Sequence, residues 1–300
     1  MIKIENLHKS YQSLKVLDGI NINAEQGDVY GFIGSNGSGK TTTMNIITKL
    51  IPYNEGKITI NDNKPYKLGY LPETPNIFPY LTGFEYLSYI AKCCNYQGDI
   101  NQRNEEVLRL VRLFKASKRK VGGYSRGMIQ RLGIAAAIYD NPDILILDEP
   151  TSALDPEGRL EVIKIINSLK EGGRTIIFSS HILDDVERVA TKIGILSNGK
   201  IVVEDTINNI LKKSKEMISY GLIVEDIDEN KLDNLRKHGL IVTLEEQNLE
   251  IEPTTKMSSN DILKLVLNEN INIIKFEEKR YDLERIYMEV TKNEPNKRND

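Results

Sequence analysis

The segment Gly34–Thr41 is the feature that most restricts how this chain can fold. It reads Gly-Ser-Asn-Gly-Ser-Gly-Lys-Thr and fits the pattern G-x-x-x-x-G-K-[ST] at every position. The apolar run 29–33 precedes it and a segment with helical spacing, 42–50, follows it, so the loop should join a buried strand to a helix. Small residues let backbone N–H groups surround phosphate oxygens, and the helix start directs its positive dipole end at the same anion. The segment therefore predicts a nucleotide-phosphate site rather than a chance glycine-rich turn.

Two side chains of this phosphate loop have predicted tasks of their own. Lys40 should place its ammonium charge against the β- and γ-phosphates, and the hydroxyl of Thr41 is a suitable ligand for Mg²⁺. We therefore expect ATP and Mg²⁺ as the bound species. The predicted ATP contacts from the loop are Ser35, Asn36, Gly37, Ser38, Gly39, Lys40, Thr41 and Thr42.

A second motif ends the apolar run 144–147, where Asp148 and Glu149 stand side by side. Open α/β sheets present ligand chemistry at the carboxyl ends of their strands. Asp148 should hold Mg²⁺ directly or through water, while Glu149, one residue on, should orient or deprotonate the attacking water. The alternative is that the two acids only end a strand at the surface. The presence of a phosphate loop in the same chain disfavours this alternative.

The order of elements predicts the fold. Apolar strands alternate with helical segments, which is typical of a mostly parallel sheet covered on both faces. The alternating residues 2–7 and 20–24 predict an antiparallel hairpin, 193–203 predicts another, and 81–95 and 104–114 read as helices of an insert. From about 217 the order becomes β-α-β-β-α-β, typical of a ferredoxin-like domain, with Asn260 and Asp282 as expected helix caps.

Charge and cysteine content limit the class of protein. The net charge is -3, and from Gly221 onward 18 acidic residues outnumber 12 basic ones, which argues against a nucleic-acid-binding appendage. Cys93 and Cys94 are adjacent and make a poor structural disulfide, so we expect a reduced, cytoplasmic protein. The apolar runs are strand-sized, so a membrane pore would have to come from another polypeptide.

Several further motifs occur in the order found in ABC-family ATPases. The run Tyr124–Leu132 resembles the family signature, residues 152–155 resemble its D-loop, His181 stands where the family has its switch histidine, and Tyr11 matches the aromatic that stacks on adenine. The resemblance covers about residues 1–215. It implies an α/β P-loop ABC-type ATPase with a mixed sheet core, an antiparallel β subdomain and a helical subdomain at about 75–123. Residues 216–300 would then form a small α+β ferredoxin-like domain.

The resemblance also implies how the site works. Two ATP molecules would be held between two subunits, with Ser125 and Gly127 of one chain contacting the γ-phosphate bound by the other. Catalysis would rest on Glu149, His181 and Lys40, with Thr41, Asp148 and Glu73 serving the metal. A tyrosine that only fills a β surface is the open alternative for Tyr11.

The chain departs from the family pattern at three positions. Glu73 stands where the Q-loop usually has Gln, which keeps an oxygen for the metal but adds a negative charge. Arg126 replaces a signature glycine and Met128 replaces the signature Gln. Arg126 either contacts phosphate or projects into solvent. No substitution removes Lys40 or Glu149, so hydrolysis is expected to be intact.

The expected partners are a second ATPase subunit and an integral-membrane permease, with no nucleic acid. The short insert lacks the coiled coil of chromosome-maintenance relatives, and a single cassette disfavours translation-factor relatives. Residues 78–83 resemble the surface that accepts a coupling helix from the membrane partner, and the open alternative is that Phe78 and Tyr80 only anchor the core of the insert. Residues 124–128 and 283–291 resemble the bacterial exporter branch that handles peptide antibiotics, drugs or sodium. The expected location is the inner face of the cell membrane, through the permease. A soluble ATPase with a regulatory or scaffolding role is the alternative to the transporter function. The small C-terminal domain has either a stabilising or dimer-contact role or a ligand-sensor role.

Overall fold

The structure, a computed structural model, describes residues 1–152, 154–216, 218–225, 227–280 and 282–292. It divides into two compact units, Met1–Ile207 and Asn208–Asp300. Each unit is described by itself below. The functional division at 215/216 stays a prediction.

The first unit contains nine strands and six α-helices among the described residues. The strands are β1 Ile2–Tyr11, β2 Leu14–Ala24, β3 Val29–Ile33, β4 Glu55–Ile60, β5 Leu68–Leu71, β6 Ile144–Leu147, β7 Thr175–Ser180, β8 Lys192–Ser197 and β9 Lys200–Thr206. The helices are α1 Lys40–Ile47, α2 Gly83–Cys93, α3 Ile100–Leu110, α4 Arg126–Ala137, α5 Pro156–Glu171 and α6 Leu183–Val189.

The central sheet of this unit has six strands in the order β5-β6-β7-β3-β8-β9. Every neighbouring pair is parallel except β8 and β9, which form the predicted antiparallel hairpin. Strands β3, β6 and β7 are buried along their whole length, as expected for interior parallel strands. Because these three strands are neighbours and point the same way, the residues that follow them meet at one edge of the sheet.

A separate three-stranded antiparallel sheet has the order β2-β1-β4. Its inward side chains, including Ile4, Leu7 and Ile22, share one hydrophobic cluster with Met44 and Ile46 of α1. This packing fixes α1, and with it the phosphate loop, against the antiparallel sheet. The mixed sheet, the antiparallel sheet and the helices confirm the predicted ABC-type fold class.

Helix boundaries differ from the predicted ones by a few residues, and the caps explain the differences. Helix α2 begins at Gly83 because Thr82 and Glu85 form a capping box. Helix α3 begins at Ile100, four residues before its predicted start, because the Asp99 carboxylate accepts from the N–H of Gln102. Helix α1 begins at Lys40 and ends at Ile47, before Lys49 enters the left-handed region at φ 61°.

An unpredicted helix, α7 Ile207–Glu216, leads into the second unit. The elements after it have the predicted order and are β10 Ile218–Glu225, α8 Glu229–Lys237, β11 Leu240–Glu245, β12 Asn248–Pro253, α9 Ser259–Asn268, β13 Asn272–Arg280 and α10 Leu283–Lys292. The four strands form an antiparallel sheet in the order β11-β12-β10-β13, which is the ferredoxin-like arrangement.

One predicted cap in this unit is wrong and the other is found. Ser258, not Asn260, caps α9, because the helix begins at Ser259, two residues before a helix capped by Asn260 would begin, and Ser258 forms a capping box with Asp261. The Asp282 carboxylate accepts from the N–H of Arg285, 2.9 Å away, as predicted for the start of α10. Within the part of the chain that the structure describes, no helix is both long and apolar enough to cross a membrane.

Candidate functional site

The phosphate loop connects β3 to α1 in a conformation that requires glycine. Gly39 has φ 113°, a left-handed value that disfavours any side chain. A Cβ on Gly34 would lie 2.5 Å from Ser38 Oγ and 2.7 Å from the carbonyl oxygen of Leu196. Neither position has room for a methyl group, so the loop curls tightly around the start of α1. Of the other predicted contacts, Ser35, Asn36, Gly37 and Thr41 are exposed, and Thr42 is half-buried.

The Lys40 ammonium group is held at the centre of this loop. It donates to the carbonyl oxygens of Gly34, at 2.7 Å, and Ser35, at 3.1 Å. It also lies 3.1 Å from Glu149 Oε1, and both side chains are only 5% exposed. The lysine therefore presents a desolvated charge where phosphate oxygens are expected to bind.

The two acids after β6 are tied to the neighbouring strand β7 by Ser179. The Ser179 hydroxyl donates to Asp148 Oδ1 at 2.6 Å and accepts from the backbone N–H of Glu149 at 2.8 Å. In addition, the N–H of Asp148 donates to the carbonyl oxygen of Leu71, 2.9 Å away, at the end of β5. Three adjacent strands thus hold this acidic pair in place.

Glu149 and His181 form the second contact across the strand ends. Glu149 has φ 48°, an uncommon value for a residue with a side chain, which turns it away from Asp148. His181 Nδ1 lies 2.9 Å from Glu149 Oε2. Because Glu149 is almost buried while His181 is 44% exposed, the histidine forms the outer edge of the site.

Burial and charge shift the pKa values around Asp148. Burial raises the pKa of the Asp148 carboxyl, and the hydrogen bond from Ser179 together with the nearby Thr41 hydroxyl partly offsets this effect. Burial and the negative charges of Asp148 and Glu73 raise the pKa of Tyr70 to about 12. Thr41 therefore lies close to Asp148, and Asp148 and Glu73 both lie close enough to Tyr70 to affect its ionisation.

The structure places Ser125 and Gly127 at a second location. Ser125 caps α4, its hydroxyl accepting from the N–H of Met128, and the cap Asp155 begins α5 beside it. A cleft of about 370 Å³ lies between these two helix starts, with Arg126 in its wall. None of the described phosphate-loop residues lines it. Ala153 of the predicted D-loop lies outside the described residues.

Tyr11 lies at the end of β1 and pairs with Leu14 of β2. Its ring is 46% exposed, and Lys9 Nζ lies 4.8 Å from the ring centre. An exposed ring with one covered face remains available to stack on a purine. The structure therefore allows either role of Tyr11.

The residues at the strand ends suit a magnesium–nucleotide ligand. Two buried polar atoms there, Ser38 Oγ and Asp148 Oδ2, lack a hydrogen-bond partner among the described protein atoms, whereas Glu149 Oε1 is ion-paired with Lys40. Buried polar atoms ordinarily have partners, so these two point to a polar ligand. Hard carboxylate and hydroxyl oxygens are the donors that Mg²⁺ prefers. The donor set of Thr41, Asp148 and Glu73 fits.

Sequence reasoning missed Ser179 and Tyr70 as parts of this site. Ser179 joins both acids, and the Tyr70 hydroxyl donates to Asn45 Oδ1 of α1 at 3.0 Å. Ser179 lies on a predicted strand, but its contact with both acids depends on the pairing of β6 with β7, which the sequence did not predict. Tyr70 carried no signal of its own.

Comparison with known proteins agrees with this geometry. The family model described as ABC transporter matches residues 17–152. The chain belongs to the ABC transporter ATP-binding protein family, and it is an ATP-binding and ATP-hydrolysing subunit of that class.

Two relatives and one solved structure illustrate the similarity. The linearmycin resistance ATP-binding protein LnrL of Bacillus subtilis is 30% identical over 97% of this chain and 98% of its own length. The bacitracin transport ATP-binding protein BcrA of Bacillus licheniformis is 40% identical over 77% of this chain and 76% of its own. A dimeric ATP-binding cassette bound to ADP and Pi superposes with a TM-score of 0.63 at 26% identity, over 69% of this chain and 99% of that one.

Proposed function

We propose that this chain works as one of two ATPase subunits that power export of a small molecule or peptide, such as an antibiotic, through a separate membrane permease. The observation that carries the proposal is the separation of two half-sites. Lys40, Asp148 and Glu149 lie at the strand ends, whereas Ser125 and Gly127 line a cleft that contains no phosphate-loop residue. A second subunit, placed head to tail, would bring each cleft to the other's γ-phosphate.

The proposed chemistry assigns one task to each side chain. Glu149 Oε1 faces the phosphate loop and acts as general base for the attacking water, while His181 holds Oε2 and so keeps the carboxylate in place. Lys40 stabilises the negative charge that develops on the phosphates, from a buried position where its charge is poorly screened. Tyr11 stacks on adenine.

Thr41, Asp148 and Glu73 would hold Mg²⁺, which neutralises phosphate charge when bound. Asp148 is the central ligand of this set, because Ser179 engages only its Oδ1 and leaves Oδ2 without a partner among the described protein atoms. Glu73 is exposed and follows β5 directly, so it reaches the same edge from the neighbouring strand. Its extra charge should strengthen metal binding relative to a glutamine.

An aromatic patch formed by Phe78, Tyr80 and Tyr89 is the proposed contact with the permease. The three rings are 38%, 65% and 45% exposed, and Phe78 packs on the other two at 5.6 Å and 5.5 Å between ring centres. Exposed aromatic clusters are typical of protein contacts. The patch follows Glu73 in sequence, so a permease helix bound there would sense the metal site. We therefore also propose that the chain works on the cytoplasmic face of the membrane.

Co-purification from detergent-solubilised membranes tests the proposal. The wild-type chain should bring down a multi-span membrane protein, and the Tyr80→Ser/Tyr89→Ser variant should recover at least about tenfold less of it. Tyr53→Ser is the matched control, because Tyr53 is similarly exposed at 42% but lies elsewhere in the unit. Recovery of no membrane protein by the wild-type chain would contradict the transporter role.

The cargo is tested in cells. The named relatives act on linearmycin and bacitracin, so co-expression of this chain with its recovered permease should raise resistance to antibiotics of these types. A Lys40→Ala chain should give no resistance. Resistance that persists with Lys40→Ala would contradict ATP-driven export by this chain.

A further inference from the structure

Helix α6 begins two residues after His181, so its position determines where the imidazole lies. The Ser180 hydroxyl accepts from the N–H of Ile182 at 2.9 Å, which makes the link between His181 and α6 short and stiff. Val186 of α6 packs against β3, where a Cβ on Gly31 would lie 2.5 Å from Val186 Cγ1. This contact fixes the distance of α6 from the sheet. Other groups must fix the rotation of α6 about this contact.

An ion pair between α5 and α6 restricts that rotation. Arg159 Nη2 of α5 lies 2.9 Å from Asp185 Oδ1 of α6, and the Asp185 side chain is only 5% exposed. A nearly buried carboxylate is costly without a charged partner, so the pair resists separation. Arg159 lies one turn after Asp155, the cap that lines the Ser125 cleft. The ion pair therefore connects the Ser125 cleft, through α5 and α6, to His181.

Arg159 and Asp185 make only one of the two hydrogen bonds that an arginine and a carboxylate can form. Arg159 Nε and Asp185 Oδ2 are both buried and have no hydrogen-bond partner among the described protein atoms. Arginine and carboxylate commonly form two parallel bonds, which are stronger and more directional than one. A small rotation of α6 toward α5 would complete the second bond.

We propose that Arg159 and Asp185 are positioning residues that hold α6 so that His181 stays against Glu149, and that their second bond forms when the Ser125 cleft engages a partner subunit's ATP. This inference rests on the proposed roles of Glu149 and His181. Neither Arg159 nor Asp185 contacts the reacting atoms. Both act through the imidazole, whose contact with Glu149 is 2.9 Å.

The chain offers two matched controls for this role. Asp184 is the neighbouring acid on α6, is 76% exposed and pairs weakly with Arg188 at 3.9 Å. Lys170 also links α5 to α6, donating to the carbonyl oxygen of Val189 at 3.2 Å, but at the end of α6 remote from His181. Asp184→Asn and Lys170→Met therefore perturb the same helix without touching the proposed pair.

The first experiment compares turnover, ATP affinity and folding. Arg159→Met and Asp185→Asn should each lower kcat about tenfold or more, since displacement of a catalytic group by about 1 Å can cost up to 100-fold. ATP affinity should stay near that of Asp184→Asn and Lys170→Met. Arg159→Met should lower the melting temperature, because it leaves the nearly buried Asp185 carboxylate without its charged partner, so turnover is measured at a temperature at which every variant is folded. Arg159→Lys should restore part of kcat because an ammonium group can still reach Oδ1. A kcat within twofold of both controls for Arg159→Met would overturn the proposal.

A double-mutant cycle separates positioning from a general packing effect. If Arg159 acts through the imidazole, Arg159→Met should have no further effect on kcat in a His181→Ala background. Independent, multiplicative losses would overturn the positioning role. If His181→Ala itself leaves kcat unchanged, the proposed role of His181 fails instead, so the two failures are distinguishable.

A spectroscopic readout does not depend on activity. The chain has three histidines, so the imidazole resonance of His181 can be assigned from its loss in His181→Ala. In the protein without added nucleotide, that resonance should shift in Arg159→Met and in Asp185→Asn but not in Asp184→Asn. An unchanged resonance in both pair variants would contradict the coupling.

Discussion

Lys40 Nζ lies 3.1 Å from Glu149 Oε1, and each side chain is only 5% exposed. The lysine of the phosphate loop is thus paired directly with the carboxylate proposed as general base. Phosphate oxygens would compete with this carboxylate for the ammonium group. Because the contact lies in a poorly solvated place, a change in either partner should affect both ATP affinity and turnover.

Glu149→Gln should stop hydrolysis while retaining or strengthening ATP binding. The amide cannot take a proton from water, and it removes a negative charge that both pairs with Lys40 and repels phosphate. We expect kcat to fall at least about 100-fold, with ATP then trapping a dimer visible by size-exclusion chromatography. A protein that stays monomeric at saturating ATP would count against the two-subunit site.

Lys40→Ala should lower kcat/KM for ATP at least about 100-fold, because a buried positive charge at the phosphates is lost. Steady-state phosphate release measures this effect, and Lys49→Ala is the control, since Lys49 is an exposed lysine just after α1. Full activity in Lys40→Ala would remove the central assignment.

Mixing two inactive variants tests whether the site is shared between chains. Lys40→Ala and Ser125→Ala should each be inactive alone, but a mixed dimer has one site that carries neither change. An equal mixture should regain up to about one quarter of wild-type activity, since half of the dimers are mixed and each has one intact site. If the mixture stays inactive although mixed dimers form, Ser125 does not act across the interface.

Asp148→Asn should abolish Mg²⁺-dependent turnover but raise the melting temperature at neutral pH. The pKa of Asp148 is raised in the folded chain, chiefly by burial, so the folded state disfavours the charged form. A raised carboxyl pKa lowers stability as pH rises from the unfolded value of about 3.9 through the folded value. The gain from the amide should therefore be present at neutral pH and vanish at about pH 4 and below. Calorimetry across this range measures it, and a neutral-pH melting temperature below wild type would contradict the argument.

Tyr11→Ala should weaken ATP binding about 5- to 150-fold if the ring stacks on adenine, since stacking contributes roughly 1–3 kcal/mol. Titration with a fluorescent ATP analogue measures the change. Tyr11→Phe keeps the ring and should bind normally. Equal affinity of Tyr11→Ala and wild type would leave Tyr11 as a β-surface residue.

The phosphate loop and the strand–helix order were predictable from the sequence because both depend on local rules. Only glycine tolerates the backbone of Gly39, and an apolar run followed by a glycine-rich loop forms a buried strand joined to a helix. The same local reasoning located Asp148, Glu149 and His181 at strand ends. It misplaced some helix starts by a few residues, because caps such as Thr82 and Asp99 decide them.

Contacts between distant segments required the tertiary structure. Ser179 joins Asp148 to Glu149 only because β6 and β7 are neighbours in the sheet, and the sequence near residue 179 does not predict that pairing. Likewise, Arg159 meets Asp185 because α5 and α6 pack side by side, 26 residues apart in sequence. Local residues thus set which chemistry is available, whereas strand order and helix packing decide which groups meet, since those depend on burial summed over the whole unit.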